Sequence, residues 1–263
     1  MDETPWKQLN IAYAAADAAE RERRAAAHLT GILPAAEADG LISSWWFIRK
    51  GPWRVRYLLA DPSSNPDSDP VHALLNQGVS WTRDIYEPEI HAFGGPASMD
   101  LAHQLFHHDS RHLLPFLLKD AADRRERSLI LCTTLMKAAG LDINEQGDVW
   151  ARVAEHRTGI ATPPVQEDVW NSFTHDIRHV LHGTPRTDTL DHDWLAAFED
   201  AGRELRTLRE KGALTQGIRA ITALHVIFHW NRMGLPVRRQ ALLARAAKDA
   251  VFGSTAEEHS RPL

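Results

Sequence analysis

The sequence predicts an α+β fold, with a β-sheet-containing N-terminal half packed on a mainly helical C-terminal half. Two patterns carry this expectation. Between Ser44 and Ala60, Trp45-Trp46-Phe47-Ile48-Arg49 and Trp53-Arg54-Val55-Arg56-Tyr57-Leu58-Leu59 are aromatic and β-branched runs joined at Lys50-Gly51-Pro52, the pattern of two strands with a tight connection. Beyond Asp120, apolar residues recur at helical spacing in successive segments, most of which stop at a glycine. The chain of 263 residues can bury a sizeable core. It reads as a single domain with an α/β part over 1–120 and a helical part over 121–263.

Bulk properties narrow the class. Apolar content of 43% and charged content of 25% are those of a soluble globular protein. A net charge of −5 gives no general attraction to nucleic acid or to an anionic membrane. No apolar run approaches the ~20 residues that span a bilayer. The N-terminus, MDETPWKQ, is acidic where a secretory signal is basic and then apolar. The one cysteine, Cys132, rules out an internal disulfide and suits a reducing cytoplasm. Nine tryptophans are many for this length. Core filling accounts for most of them, and flat contact surface for a peptide is the competing use.

Taken in order, residues 7–30 are Ala- and charge-rich and read as a surface helix. In the strand from Trp53, period-two alternation puts Trp53, Val55, Tyr57 and Leu59 on one face. Arg54 and Arg56 share the other, about 7 Å apart, as a fork able to clamp a carboxylate or phosphate. A solvated strand face is the plainer alternative. Asp61 to Pro70 is a polar, Pro-rich loop, and Val79 to Tyr86 a further strand stopped by Pro88. Gly94-Gly95-Pro96 turns the chain into a helix from Met99 with Ser98 as N-cap. Helices are then expected over Arg124–Ala139, Asn144–Arg157, Glu167–His182, Asp191–Lys211, Gly217–Met233 and Pro236–Phe252, with a loop at Pro163-Pro164 and a loose SRPL tail.

Two stretches concentrate chemistry. Tyr86 to His112 holds Glu87, Glu89, Asp100, Asp109 and five histidines. Asp109 shares a helical stripe with Ala102, Leu105 and Phe106, so its carboxylate must be paired or have a raised pKa. His103 and His107 stand one turn apart, a zinc-like spacing that Glu87, Glu89 or Asp109 would complete, although the glutamate of an HExxH motif is missing. Partly exposed or carbonyl-capping histidines are the alternative. In the helix Gly217–Met233, His225, His229 and Arg232 recur at i, i+4 and i+7 among apolar neighbours. Such a polar row faces a partner or a cavity. Histidine there exchanges a proton near neutral pH, and a structural ion pair of Arg232 with Asp109 or a glutamate is the competing reading. The glycine turn has neither a phosphate-binding loop nor a dinucleotide fingerprint, so no nucleotide cofactor is expected. There is no GxSxG elbow, and Cys132 sits in an apolar helix where packing is its expected role.

Five blocks in order, WWFIRKGPWRVR, YEPEIHAFGG, AHQLFHHDSR, RRERSLIL and HVIFHWNRMGL, resemble the thiopeptide-type bacteriocin biosynthesis domain. This is the C-terminal glutamate-elimination domain of class I lantibiotic dehydratases, which also occurs as stand-alone proteins. The match runs from about Ser44 to Gly253. The resemblance implies work on a ribosomally made precursor peptide. In one branch, serine or threonine is first esterified with glutamate from glutamyl-tRNA, and this domain then removes the α-proton and expels glutamate, leaving dehydroalanine or dehydrobutyrine. In a second branch, relatives join two dehydroalanines in a formal [4+2] cyclisation that forms the pyridine of thiopeptides and releases water and the leader peptide. A non-catalytic peptide-binding member is a third reading.

On this resemblance, Arg54 and Arg56 match the family's strand arginines and would hold the glutamyl carboxylates, and His229 matches its helix histidine and would transfer the proton. Arg49, Tyr86, Glu87, Asp109, His225 and Arg232 would line the substrate site. One position departs. Dehydratase members often carry an arginine before the aromatic residue of the F/Y-G-G turn, where this chain has Ala92 beside His91. The implied partners are the precursor peptide and a separate glutamyl-tRNA-dependent glutamylating enzyme, with a homodimer as one permitted assembly and no metal or other cofactor.

Overall fold

A computed structural model describes residues 5–61, 69–119, 123–160, 165–182 and 191–253. The architecture is α+β, as the strand and helix patterns predict. The chain divides into two compact units, one of Met1–Glu89 with His103–Ala122 and one of Ile90–Ala102 with Asp123–Leu263.

The first unit is built on a four-stranded antiparallel sheet in the order β2-β3-β1-β4. Its strands are β1 (Trp6–Ala12), β2 (Ile42–Arg49), β3 (Trp53–Leu59) and β4 (Ser80–Asp84). β2 and β3 are the two runs joined at Gly51, which takes φ +77 in the turn. β1 corrects the expectation of a helix over residues 7–30. Leu9 and Ile11 alternate with Gln8 and Asn10, and they pair with Val55 and Trp53 in the sheet core. The helix α1 (Ala18–Ala38) starts only at Asp17, whose side chain accepts from the Glu20 N–H at 2.8 Å. A short helix, α2 (Pro70–Leu75), was not foreseen. Asp69 caps it and Pro70 occupies its first position. Most of the expected Asp61–Pro70 loop lies outside the described residues, as do Pro163-Pro164 and the SRPL tail.

Helix α3 (Pro96–Leu118) runs through the boundary between the units. It starts three residues before the expected Met99. The Met99 N–H already bonds the Gly95 carbonyl at 3.0 Å, and Pro96 has no N–H to lose at a first helical position. From His103 onward it serves the sheet unit. Phe106 packs on Trp46 at 4.8 Å. His107 Nδ1 donates to the Trp45 carbonyl at 2.8 Å, and Ser110 Oγ accepts from the Phe47 N–H at 3.4 Å. These side chains occupy backbone groups on the outer edge of β2.

The second unit is helical: α4 (Arg124–Ala138), α5 (Ile143–Glu155), α6 (Glu167–His182), α7 (His192–Glu210), α8 (Ile218–Met233) and α9 (Val237–Phe252). These agree with the expected segments to within two residues at each end. Asp142 and Glu145 form a reciprocal capping box at α5. α7 approaches α4 closely at Gly202, where a Cβ would lie 2.4 Å from the Leu135 carbonyl oxygen. α8 is the central helix, buried on almost every side, with Trp230 stacked on Trp150 of α5 at 5.9 Å. Eight of the nine tryptophans are buried, so core filling is their main use; Trp81 is 38% exposed.

Candidate functional site

β3 presents its two arginines to one face of the sheet, and the strand register fixes what surrounds them. One row across the sheet reads Trp46–Arg56–Gln8–Asp84, and the next reads Ile48–Arg54–Asn10–Thr82. Alternation that buries Val55 and Tyr57 on one face thereby gathers a polar floor on the other. Arg56 is 7% exposed. Its guanidinium sits in the corner formed by two perpendicular rings, with Cζ 4.3 Å from the Trp46 centroid and 4.1 Å from that of Tyr86, a cation–π setting suited to its planar, delocalised charge. Its Nε donates to Gln8 Oε1 at 2.6 Å. Gln8 Nε2 in turn donates to Asp84 Oδ2 at 2.9 Å and Asn10 Oδ1 at 3.1 Å, and Asn10 Nδ2 donates to Asp84 Oδ2 at 3.0 Å.

The electrostatics of this floor follow from burial and from the chain of amides. Burial pulls the Arg56 pKa down to about 10, which leaves it cationic at neutral pH. The hydrogen bond from Asn10 holds the Asp84 carboxyl below the usual carboxylate range. Arg54 is partly exposed, and its Nε is buried with no hydrogen-bond partner among the described residues. Tyr86, 5% exposed, places its hydroxyl 2.8 Å from His103 Nε2. Burial, with the Arg56 charge second, lowers the His103 pKa to about 4, so the ring is neutral. Trp6 packs on the same ring at 4.8 Å. The arrangement presents a fixed guanidinium and a second arginine to an anionic group, on a wall of aromatic rings.

The expected site residues are distributed as follows. Arg54, Arg56 and Tyr86 come together in the sheet unit. Arg49 belongs to the opposite sheet face, opposite Trp53, where it pairs with Glu22 at 2.7 Å and stacks on Trp53 at 4.7 Å; the structure does not bring it together with Arg54 and Arg56. Glu87 is exposed, one residue beyond the buried Tyr86. Asp109 is fully buried in α3, in keeping with its place on the apolar stripe. The zinc reading of His103 and His107 gains no support: His103 is engaged with Tyr86, His107 with the Trp45 backbone and with Glu37 at 3.2 Å, and among the described residues no cluster of three or more metal-ligating side chains occurs.

His225, His229 and Arg232 lie in the helical unit, all 2% exposed or less. The His225 ring meets Phe93 edge-on at 5.2 Å, and His229 meets Phe198 at 5.1 Å and Trp194 at 6.5 Å. Burial, reinforced by the Arg232 charge, pushes the His225 pKa down to about 3. Within this unit the glycine turn docks on α8: Gly94 has φ +84, a Cβ there would lie 2.4 Å from Ile221 Cδ1, and its carbonyl accepts from the Thr215 N–H at 3.0 Å.

Sequence reasoning did not connect Gln8, Asn10, Asp84 or Trp46 with Arg56, and it singled out His103 only as a candidate metal ligand. The available signal was the polar alternation Gln8–Asn10 beside Leu9–Ile11, which marks a strand with one polar face and was masked by the alanine-rich segment that follows.

Comparisons with known proteins agree with this architecture. No curated protein sequence matches the chain. The tRNA-dependent lantibiotic dehydratase MibB from Microbispora sp. 107891 is similar in structure, with a TM-score of 0.67 at 18% identity over 99% of this chain and 29% of MibB. This chain therefore spans under a third of MibB's length. The pyridine synthase TbtD from thiomuracin biosynthesis aligns with a TM-score of 0.59 at 16% identity, over 94% of this chain and 97% of TbtD. TsrL aligns with a TM-score of 0.56 at 15% identity, over 98% of this chain and 99% of TsrL. At these identities the likeness is one of fold. The sequence itself matches, over residues 6–251, the family described as lantibiotic biosynthesis dehydratase C-term, and the chain belongs to that family.

Proposed function

We propose that this protein modifies a ribosomally made precursor peptide by eliminating glutamate from glutamylated serine or threonine, giving dehydroalanine or dehydrobutyrine. The observation that carries this reading is the cationic floor of the sheet unit, where Arg56 is held in the corner of the Trp46 and Tyr86 rings with Arg54 on the same face of β3. In the reaction a base takes the α-proton, the Cβ–O bond breaks, a carbon–carbon double bond forms, and glutamate leaves as a carboxylate. Arginine forks suit both the carboxylates of the bound glutamyl group and the charge that develops on it as it leaves. His229 is the proposed proton-transfer group, on its match to the family's helix histidine. Glutamylation is supplied by another enzyme or domain.

Ala92, in place of the arginine frequent in dehydratase members, favours a second reading: pyridine formation from two dehydroalanines. The two are separated by mass. Incubation with a glutamylated precursor gives loss of glutamic acid under the first reading. Incubation with a dehydroalanine-rich thiazole peptide gives loss of water and leader peptide under the second. An unmodified but bound precursor in both assays marks a peptide-binding member and rejects both enzymatic readings.

A further inference from the structure

We propose that Gln8 is a positioning residue that fixes the orientation of Arg56 while leaving its positive charge available to a carboxylate of the substrate. The inference rests on the carboxylate-holding reading of Arg56. A buried arginine is ordinarily held by a carboxylate, which orients the guanidinium and cancels its charge together. Here the two effects are divided. The partner at Nε is a neutral amide oxygen at 2.6 Å, and the carboxylate is one strand further along the same row, on the far side of that amide. Trp46 and Tyr86, whose rings meet edge to face at 5.5 Å, form a corner into which the guanidinium fits, and Gln8 holds its Nε edge. Its terminal nitrogens make no hydrogen bond with any described residue.

The orientation of Gln8 is itself determined. Its amide nitrogen has two acceptors within reach, Asp84 Oδ2 and Asn10 Oδ1, which leaves its oxygen for Arg56. Asp84 is in turn fixed by Asn10 and by the Ile85 N–H, which donates to Oδ1 at 2.9 Å. The chain Asp84–Gln8–Arg56 thus begins at an exposed, well-solvated carboxylate and ends at a buried cation, with an uncharged link in the middle. A carboxylate at position 8 would make the same bond to Nε, but it would also supply internally the negative charge that the substrate is to bring.

The test compares the full-length wild-type protein with Gln8→Glu and Gln8→Met. Binding of free L-glutamate is followed by calorimetry, KM and kcat by release of glutamate from a glutamylated precursor, and folding by thermal unfolding. Gln8→Glu is expected to keep or raise the unfolding temperature while weakening L-glutamate binding at least tenfold and raising KM by a similar factor. Gln8→Met, which removes the clamp but adds no charge, is expected to retain measurable L-glutamate binding and to lower kcat more than it raises KM. Wild-type binding that is matched by Gln8→Glu overturns the role of Gln8 alone. Absence of L-glutamate binding and of glutamate release in the wild type overturns the carboxylate-holding reading, and this inference with it. Should Gln8→Glu fail to fold, equal kcat and KM in Gln8→Met and wild type overturns the positioning role independently.

Discussion

The polar floor of the sheet unit and the histidine row of α8 solve the same problem, buried polar groups, in opposite ways. The floor draws its members from separate strands and from α3: Gln8 from β1, Trp46 from β2, Arg56 from β3, Asp84 from β4 and His103 from α3. It grades from the buried Arg56 to the exposed Asp84. The α8 row comes from one helix at i, i+4 and i+7 and is enclosed by Phe93, Phe198 and Trp194. A graded site can exchange a ligand for solvent with little rearrangement, whereas in the enclosed row burial holds His225 neutral.

The largest effects are expected at the proposed proton-transfer residue. Replacing His229 with Ala should lower glutamate release about 100- to 10,000-fold, the range of general acid–base contributions. If turnover is kept while the unfolding temperature drops, the row is packing and the contrast with the floor collapses. Arg56→Lys keeps a charge but loses the planar fork. It should cost about 100-fold in turnover, comparable with losing one preorganised donor, with folding monitored by circular dichroism.

A third test addresses what burial does to charge in both regions. His103 and His225 have folded-state pKa values lowered from the ordinary 6.5 to about 4 and about 3. Both stay neutral in the folded chain while the unfolded chain takes up protons below pH 6.5. Their contribution to stability is therefore complete above pH 6.5 and is lost as pH falls toward 4, by at most about 1.4 kcal/mol per pH unit for each group. Thermal unfolding across pH 7 to 4 should show this slope, and His103→Gln should reduce it. A flat profile would mean that neither ring is held neutral.

Smaller effects are expected away from both. Gly94→Ala places a Cβ against Ile221 in a left-handed backbone conformation and should destabilise by about 1–3 kcal/mol, read as a lowered unfolding temperature. Arg49→Lys, on the sheet face away from Arg56, keeps the charge but loses the planar fork that meets Glu22 and Trp53, and should destabilise by about 1–2 kcal/mol while leaving turnover untouched. Lost turnover in that variant would place the proposed substrate contacts on both faces of the sheet.

The sequence was most informative where local pattern and tertiary role agree. The Trp45–Arg49 and Trp53–Leu59 runs, the glycine-ended helices and the pairing of Arg54 with Arg56 on one face all depend on periodicity, which a sequence displays directly. β1 was hidden because seven residues beside an alanine-rich helix carry a weak signal, and pairing with both β3 and β4 stabilises the strand more than its own propensity does. Gln8 and Asp84 could not be linked to Arg56 for the same reason. The contacts are set by strand register between distant segments, 48 residues apart for Gln8 with Arg56 and 76 for Gln8 with Asp84. Arg49 illustrates a further limit, since motif membership does not say which sheet face a residue takes, and the register puts Arg49 with Trp53 and not with Arg54 and Arg56.

The two edges of the sheet differ in how far the structure lets them grow. Side chains of α3 stand where a fifth strand would place its backbone beside β2, so His107 and Ser110 terminate the hydrogen-bond ladder as a neighbouring chain would. β4 carries only exposed residues and meets no further strand among the described residues. Any extension of this sheet is directional: among the described residues of the sheet unit, only the β4 end of the order β2-β3-β1-β4 is left for another strand to join.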